Sequence, residues 1–439
     1  KDNKQYVGIN SLEWQELSMD ELDLDKMLFH IDELTLKDTD GRYTQSFLTA
    51  SNTSTAEDSS ESILPTVIVD ELNIYNLKGS YHSPPTLTFF DGQIDQFETE
   101  IPLIDLTNQK IQLDKLLLHQ SEIAFSSYPK ETSSPDTASV STAFSWPEWD
   151  VEASNIELTN NDIILITDST QLKEKVFNPA HIDIEDFNIL ISQAVLKKDR
   201  AKLTLDELNF KERSRVSVDE LNFEINVSNQ EITIQDLNFL SDENLLAGLI
   251  NVKFNSLNDF IKNPTLAELK SDLSIEIHSL DAAYAFQPSL DTISYLQLVD
   301  QKVLAASLDI EGSMSKLDLN KAILNWGKST SFNADGIIYS LNNPDSIHFE
   351  DLKYLFKSTK TDLSAFLNLD STGIDLPQSF QLKGNTTGSL SEIASKNTIN
   401  TSDGNILING NLKRSSNQIA FETNIKTDSL RIGKILQNT

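Results

Sequence analysis

The sequence of 439 residues contains no cysteine. Disulfide bonds, thiolate nucleophiles and cysteine-ligated zinc are therefore excluded. Glycine and proline are also scarce, at 14 and 12 residues, and the hydrophobic fraction is only 38%. A compact core would be richer in apolar residues, so this composition favours a large all-β surface in which neighbouring strands supply most of the contacts.

Basic residues are outnumbered, with 35 against 67 acidic residues and a formal net charge of −32. This balance argues against nucleic acid as a partner and against docking of the body on an anionic bilayer. Carboxylates along the edges and outer faces of a sheet also protect it from aggregation.

Long hydrophobic runs are missing too. No stretch approaches the roughly 18–20 consecutive apolar residues that a membrane-spanning helix needs. The first residues, Lys1 to Asn10, are polar and include no initiating methionine. We therefore expect the sequence to be a fragment whose signal or anchor lies outside it.

What the sequence does contain is a spaced apolar signature, h-x-h-x-x-h-x-h, where h is a hydrophobic residue. Its nine copies are Phe29-Ile31-Leu34-Leu36, Val67-Val69-Leu72-Ile74, Ile111-Leu113-Leu116-Leu118, Val151-Ala153-Ile156-Leu158, Ile182-Ile184-Phe187-Ile189, Leu203-Leu205-Leu208-Phe210, Val216-Val218-Leu221-Phe223, Ile232-Ile234-Leu237-Phe239 and Leu317-Leu319-Ala322-Leu324. The central pair is usually acidic, as in Asp206-Glu207.

Each half of the signature alternates with period two, as a strand with one apolar face does, but the central pair shifts the parity by one residue. An extra residue accommodated as a β-bulge cancels that shift, so both halves point their aliphatic side chains to one side of a bent strand. The alternative, a tight hairpin at each spacer, would need Gly, Asn-Gly or Asp-Gly, which the spacers lack. The pattern predicts a sheet bent into a U-shaped groove.

The distance between copies varies; it is 13 residues between Leu208 and Leu221, for example, and 21 residues between Phe187 and Leu208. Leucine-rich repeats keep a fixed period of roughly 20–29 residues. The varying period favours antiparallel strands with connections of unequal length. About 30 strands at ~4.8 Å each would form an elongated sheet on the order of 100–150 Å long.

Two kinds of segment depart from the signature. Ser/Thr-rich stretches at about 49–62 and 126–143 are predicted to be insertions between strands. Three alternating strands pass into short apolar helix-like runs, at 257–261, 280–286 and 430–436, which we expect to lie on the rim of the sheet. In the last run, Leu430, Ile432, Ile435 and Leu436 would face the groove.

Motifs for catalysis or cofactor binding are lacking. The sequence has no G-x-G-x-x-G, Walker loop or G-x-S-x-G, and its six histidines are scattered singly. The stretch Asp38-Thr39-Asp40-Gly41 begins like a calcium loop but lacks the later ligands, so a hairpin turn is expected there. Neighbouring carboxylates in a strand point to opposite faces, which is poor geometry for acid–base catalysis. We expect no enzyme activity, no cofactor and no metal.

Three stretches resemble the TamB family, which belongs to the AsmA-like group of Gram-negative envelope proteins. The first runs from FNPAHIDI at 177–184 through 203–214 and SDENLLA at 241–247 to SLNDF at 256–260. The second includes IEGS at 310–313, WGKST at 326–330 and FNADG at 332–336. The third includes 380–388, 401–404 and SLRIGKIL at 429–436. Together they span roughly residues 145 to 439. The segment before residue 145 is similar to the family only in its general pattern of polar and apolar residues.

The resemblance implies a bridge-like lipid transfer protein of the periplasm, a β-taco groove that carries phospholipids between the inner and outer membranes. It implies an inner-membrane anchor and a C-terminal domain that docks on an outer-membrane barrel protein, both outside this sequence. Three parts are expected, at 1–145, 146–300 and 301–439.

Twelve inward positions are expected to line the groove, namely Ile184, Phe187, Ile189, Leu205, Leu208, Phe210, Val218, Leu221, Phe223, Ile234, Leu237 and Phe239. An ordinary closed core at these positions, which binds nothing, is the structural alternative. Two other functions remain open, an envelope scaffold for outer-membrane protein translocation and assembly, and a β-repeat adhesin stalk with a filled core.

Overall fold

The computed structural model describes residues 6–45, 64–128, 143–168, 176–213, 216–367, 375–414 and 418–435. It consists mainly of β-strands with a few short helices, which confirms the all-β fold class. The chain falls into two units, one formed by Lys1–Val227 with Ala285–Gln287 and the other by Ser228–Tyr284 with Pro288–Thr439. The boundaries of the three expected parts stay a prediction.

The strands of the first unit are long, and most of them contain a signature. They are β1 (Tyr6–Asp23), β2 (Leu28–Thr44), β3 (Thr66–Ser83), β4 (Thr88–Asp105), β5 (Lys110–Leu113), β6 (Lys115–His119), β7 (Glu122–Ser127), β8 (Asp150–Ile166), β9 (His181–Lys197), β10 (Arg200–Glu212), β11 (Ser217–Val218) and β12 (Glu220–Ser228). Asp114 separates β5 from β6, and Asp219 separates β11 from β12, so a spacer residue interrupts the strand at both places.

Most neighbouring strands of this unit are antiparallel, as expected, but two junctions are parallel. β2 pairs with β3 in parallel, and β5, β6 and β7 pair in parallel with β8. A parallel pair needs a crossover connection of about a dozen residues or more. The Ser/Thr-rich insertions supply that length, since they lie in the connections to β3 and β8. The insertion at 49–62 and residues 129–142 of the second insertion lie outside the described residues.

The signature spacers coincide with register shifts, which confirms the predicted bulges. In the pairing of β3 with β4, Val69 lies opposite Ile101 and Leu72 opposite Thr99, so β3 carries one extra residue. In the pairing of β10 with β9, Asp206 is the extra residue between Leu205 and Glu207. Each bulge restores the parity of its strand, and the apolar residues on both sides of it share one face.

A second line of irregularities, which the spacer pattern does not predict for most strands, crosses the first unit. Its members have φ angles between 47° and 54° and are Asp38, Asn76, Gln120, Asn160 and Asp186. Asp and Asn tolerate this left-handed conformation better than other non-glycine residues. The expected hairpin turn at Asp38–Gly41 is wrong, because these residues lie within β2, where Asp38 occupies this second line.

The second unit begins with β13 (Glu231–Ser241) and β14 (Asn244–Lys253). It continues with β15 (Glu268–Ile277), β16 (Leu304–Ser313), β17 (Lys316–Trp326), β18 (Thr330–Tyr339), β19 (His348–Thr359), β20 (Ser379–Ser389), β21 (Glu392–Thr401), β22 (Gly404–Arg414) and β23 (Ile419–Asp428). Each strand pairs antiparallel with the next one along the chain, as the sequence predicts.

Short helices occupy several connections. They are α1 (Leu257–Lys262), α2 (Asp281–Phe286), α3 (Ser294–Val299), α4 (Lys360–Phe366) and α5 (Ile432–Ile435), with 3-10 turns at Pro264–Leu266, Pro288–Thr292 and Pro344–Ser346. Three of them, α1, α2 and α5, form where the sequence predicts helix-like runs. Ile432 in α5 is exposed, contrary to the expectation that it faces a groove, and Leu436 lies outside the described residues.

Candidate functional site

Apolar side chains form continuous rows across the strands of the first unit. Residues that lie opposite each other on paired strands share one face of the sheet, so a row can be followed from one register pair to the next. One row is Leu36, Ile74, Phe97, Leu118, Leu158, Ile189 and Leu208. A second is Phe29, Val67, Ile104, Ile111, Val151, Leu196 and Ala201. Seven neighbouring positions are thus apolar in each row.

Two further rows lie on the same face. Leu34, Leu72, Thr99, Leu116, Ile156, Ile191 and Leu205 form one of them, with a single hydroxyl residue. Tyr43, Tyr81, Phe90, Phe125, Leu165 and Ile182 form the other. The rings of Tyr43 and Tyr81 are stacked with their centroids 5.6 Å apart. We call the surface formed by these four rows the apolar face of the first unit.

The apolar face is covered only in part. All seven side chains of the row from Leu36 to Leu208 are half-buried, whereas residues packed between two layers of a globular domain are fully buried. Complete burial of apolar residues is rare in the described part of this unit, with Leu205 at 5% exposure among the few examples. The rows therefore gain contacts from neighbouring strands within the sheet more than from a second layer.

Nine of the twelve predicted lining residues lie in the first unit. Ile189, Leu205 and Leu208 belong to the rows above, and Ile184 lies opposite Ile163. The rings of Phe187 and Phe210 are 6.4 Å apart, and Phe210 lies opposite Val218. Leu221 and Phe223 are half-buried in β12. Leu205 and Val218 are buried, and the other seven residues are half-buried.

The remaining three predicted residues begin rows in the second unit. Phe239 starts a row of ten residues, Phe239, Leu246, Ile275, Ala306, Leu324, Phe332, Phe356, Leu382, Ile399 and Ile406. Ile234 lies opposite Ile250, and Leu237 lies opposite Gly248. All three residues are half-buried. We call the surface that contains this row the apolar face of the second unit.

Charged and polar side chains occupy the alternate positions. In the first unit they line a cavity of about 760 Å³, whose walls include Arg42, Lys78, Glu122, Asp162 and Arg213. The guanidinium of Arg213 donates to Asp183 Oδ2 at 2.9 Å. These side chains alternate along their strands with the apolar rows, so the cavity lies on the opposite side of the sheet from the apolar face.

A carboxylate network stabilises the same polar side. The ammonium of Lys115 lies 2.7 Å from Glu98 Oε2, and the hydroxyl of Tyr75 donates to Glu98 Oε1 at 2.9 Å. The hydrogen bond from Lys115 is the main reason that the pKa of Glu98 is lowered, and that from Gln96 adds to it. Glu98 is therefore ionised at neutral pH and links β3, β4 and β6.

Polar side chains replace missing backbone hydrogen bonds at the second line of irregularities. Asn161 is fully buried, and its side chain accepts from the backbone N–H of Ser121 at 3.0 Å and donates to the carbonyl of Leu118 at 3.2 Å. Asn188 similarly accepts from the backbone N–H of Asn160 at 2.7 Å. Buried backbone groups without partners are costly, so these amides make the irregular backbone possible.

Three histidines contact carboxylates on other strands or turns, which the sequence pattern does not reveal. Nε2 of His30 lies 2.9 Å from Asp70, and its Nδ1 lies 3.2 Å from Asp20. The pKa of His30 is raised, chiefly by the hydrogen bond to Asp70. His82 contacts Asp91 at 2.9 Å, and His278 contacts Glu243 at 3.4 Å. The single, scattered histidines of the sequence therefore gave no signal for these contacts.

No group of three or more histidine or acidic side chains in the described ranges could hold a metal ion. Among the helices in that same part of the chain, none is both long and apolar enough to cross a membrane.

Sequence reasoning missed one cluster on the apolar face of the second unit, formed by Lys302, Trp326 and Asp362. A signal for part of it was present, because Thr359 followed three residues later by Asp362 is typical of a helix N-terminus. The Thr359 hydroxyl indeed accepts a hydrogen bond from the Asp362 N–H. The contact with Lys302, 60 residues earlier, has no local signal.

Comparison with known proteins adds no relative, since no protein-family model, no curated protein and no solved structure matches this chain.

Proposed function

We propose that the chain is a lipid-carrying segment of a bridge-like transfer protein, in which acyl chains of phospholipids lie on the apolar faces. The observation that carries the proposal is the set of uninterrupted apolar rows whose side chains are half-buried. Such rows leave apolar area open to a ligand. Moving an alkyl chain from water onto such a surface is favourable by about 0.8 kcal/mol per methylene that is fully buried.

The distribution of charge supports the same proposal. Carboxylates and ammonium groups occupy the alternate positions, so each strand is apolar on one side and solvated on the other. A phospholipid could then leave its headgroup in water while its acyl chains contact the apolar rows. The family resemblance adds the setting to this proposal, namely the periplasm, transfer between two membranes, and attachment to an outer-membrane barrel protein through a domain outside this sequence.

The proposal is tested by native mass spectrometry of the chain, purified from bacterial membranes without a delipidating detergent. We expect several phospholipids per chain. The double variant Phe210→Asp/Phe223→Asp places two carboxylates on the apolar side of β10 and β12, and we expect it to lose most of the bound lipid while remaining folded.

The matched control is Thr204→Asp/Lys211→Gln, which makes the same change in net charge on the polar side of β10. It should keep the lipid of the parent chain. A lipid-free parent, or equal lipid in both double variants, would contradict the proposal and point to a closed apolar layer.

A scaffold for outer-membrane protein assembly is the second candidate, because one strand is unusually exposed. Every residue of β23 is exposed, including Phe421 at 76% and Ile425, and Phe421 lies opposite Leu412 of β22. An exposed strand with alternating apolar residues is suited to pairing with a client strand. Replacing Phe421 and Ile425 by lysine should then abolish client binding, whereas Phe210→Asp/Phe223→Asp should leave client binding unchanged. An adhesin stalk is disfavoured, since it should have a filled core.

A further inference from the structure

At Trp326, the apolar face of the second unit is covered by segments from outside the sheet. Trp326 ends β17 on the same side as Leu324, and only 6% of it is exposed. Phe332, which lies opposite Leu324 on the neighbouring strand, is 38% exposed. A buried residue and an exposed residue thus lie on neighbouring strands of the same face. The segments that cover Trp326 therefore do not extend as far as Phe332.

The cover consists of two segments from different connections, which we call the strap. One is α3 with the residues that follow it to Lys302, from the connection between β15 and β16. The other is α4, from the connection between β19 and β20. The indole N–H of Trp326 donates to the carbonyl of Val299 at 3.3 Å, and the ring of Phe366 meets the indole edge to face at 5.0 Å. Each segment therefore touches Trp326 directly.

The two segments are joined by an ion pair, in which the carboxylate is buried and the lysine side chain is 34% exposed. The ammonium of Lys302 lies over the Trp326 ring, 4.3 Å from its centroid, and is ion-paired with Asp362 in α4. The residue Asp362 is only 3% exposed, and its other oxygen accepts from Thr330 Oγ1 at 2.7 Å. Thr330 in turn lies 2.8 Å from the hydroxyl of Ser358. The ion pair thus lies at the boundary between the apolar face and the hydroxyl groups of Thr330 and Ser358.

Gly327, in the turn after Trp326, leaves room for this arrangement. Its φ is +60°, and a Cβ at this position would lie 2.8 Å from Cδ of Lys302. A side chain there would push Lys302 away from the indole ring. The turn is therefore shaped to admit the lysine stem.

An ion pair is an unusual contact for holding two segments on an apolar face. Replacing a buried ion pair by well-packed apolar residues of similar volume often leaves the stability of the folded protein unchanged or raises it. Removal of one partner of a buried pair, in contrast, is strongly destabilising. A charged pair on this face therefore makes closure sensitive to the loss of either charge.

We propose that the strap is a gate on the apolar face of the second unit, closed by the Lys302–Asp362 ion pair, and that its release opens the Trp326 region to an alkyl chain. This inference rests on the lipid-carrying function proposed above and adds a point of control to it. The strap would let the face be continuous when open and interrupted when closed.

The test uses the full chain, a photoreactive diazirine analogue of palmitic acid, and peptide mapping of the label. In the parent chain we expect label on the other strands that carry the ten-residue row, and fragmentation of the labelled peptides should find little label on Trp326 itself. The variant Lys302→Met leaves Asp362 buried without its partner, so hydrogen exchange of residues 360–367 should accelerate by about tenfold or more. Label at Trp326 should rise several-fold.

Two variants separate gating from general damage. Lys302→Met/Asp362→Leu removes both charges and should restore slow exchange and low label at Trp326. Lys353→Met removes an exposed lysine that pairs with Asp351 at 2.9 Å and Asp335 at 3.6 Å, and it should behave like the parent.

Three results would decide against the gate. They are strong label at Trp326 in the parent chain, faster exchange in Lys302→Met without new label at Trp326, and unchanged exchange in that variant. If no strand of any variant takes up label, the lipid-carrying proposal itself fails. Hydrogen exchange would still decide whether the ion pair holds the strap closed.

Discussion

At the scale of single residues, the most demanding position in the first unit is Asn161. Its amide group is fully buried and satisfies two backbone groups on the neighbouring chain segment, the N–H of Ser121 and the carbonyl of Leu118. Sequence alone does not single it out, because Asn161 is one of two adjacent asparagines in a polar stretch of β8. Its importance arises from contacts 40 and 43 residues away.

Substitution of Asn161 by alanine should lower the free energy of unfolding by about 2–4 kcal/mol, since two buried backbone groups lose their partners. Denaturant unfolding would measure the change. Asn226→Ala is the matched control, because that amide only donates to Glu224 of its own strand, and its effect should stay within about 1 kcal/mol. Equal effects of the two substitutions would show that the Asn161 contacts are weak.

His30 contributes a pH dependence at the same scale. It connects β2 to Asp20 of β1 and Asp70 of β3, and these contacts raise its pKa above the ordinary value of 6.5. A raised pKa in the folded state means that the stabilisation is fully present below pH 6.5 and is lost as the pH rises through the folded value. The charged imidazole is the form that the two carboxylates favour.

We therefore expect His30→Gln to destabilise the chain relative to the parent below pH 6.5, and the difference to shrink at higher pH. Denaturant midpoints measured at about pH 5.5 and about pH 8.5 would report it. Asn226→Ala serves as the control, since it removes a side chain that does not titrate and its effect should be the same at both pH values. A difference that grows with pH would contradict the assignment.

At the scale of secondary-structure elements, the bulges determine to which face of the sheet each side chain points. Asp186 holds a φ of 54° at the spacer of β9, and one extra residue there separates Phe187 from Ile184 in the register with β8. The backbone conformation, more than the carboxylate, is what this position requires.

Asp186→Val should therefore destabilise the chain by about 1–2 kcal/mol, because a β-branched residue is strained in the left-handed region. Asp186→Gly should leave stability unchanged or raise it slightly. Thermal or denaturant unfolding would compare them with Glu185→Val, which changes the other spacer residue and should have a small effect. If valine were tolerated equally at both positions, the bulge would lie elsewhere.

The elements also show how far sequence reasoning reaches. The signature predicts strands, bulges and the identity of the apolar side, because those features depend on the alternation of neighbouring residues. It does not predict the parallel pairing of β2 with β3, which depends on the route of a long connection. It also misses α3 and α4, which lie outside the three strand-to-helix runs that indicated α1, α2 and α5. The Lys302–Asp362 pair could not be predicted because its partners belong to two connections that are far apart in sequence.

At the scale of the whole molecule, the net charge of −32 is the dominant electrostatic feature. Self-repulsion of like charges destabilises a folded chain, and salt screens it. Raising the salt concentration from about 0.01 M to about 0.15 M shortens the Debye length from ~30 Å to ~8 Å. We expect the melting temperature to rise over this range in a calorimetric scan. A fall would show that ion pairs such as Lys197–Glu152 outweigh the repulsion.

The antiparallel rows of the second unit have a consequence for how such a chain can change in evolution. Every strand from β13 to β23 pairs with its neighbours along the chain, and the apolar row passes from one strand to the next by direct opposition. Duplication of two consecutive strands within this unit would lengthen the row by two positions and leave every other register pair intact. Gene duplication can therefore change the length of this sheet by one hairpin at a time, without changes in the other strands.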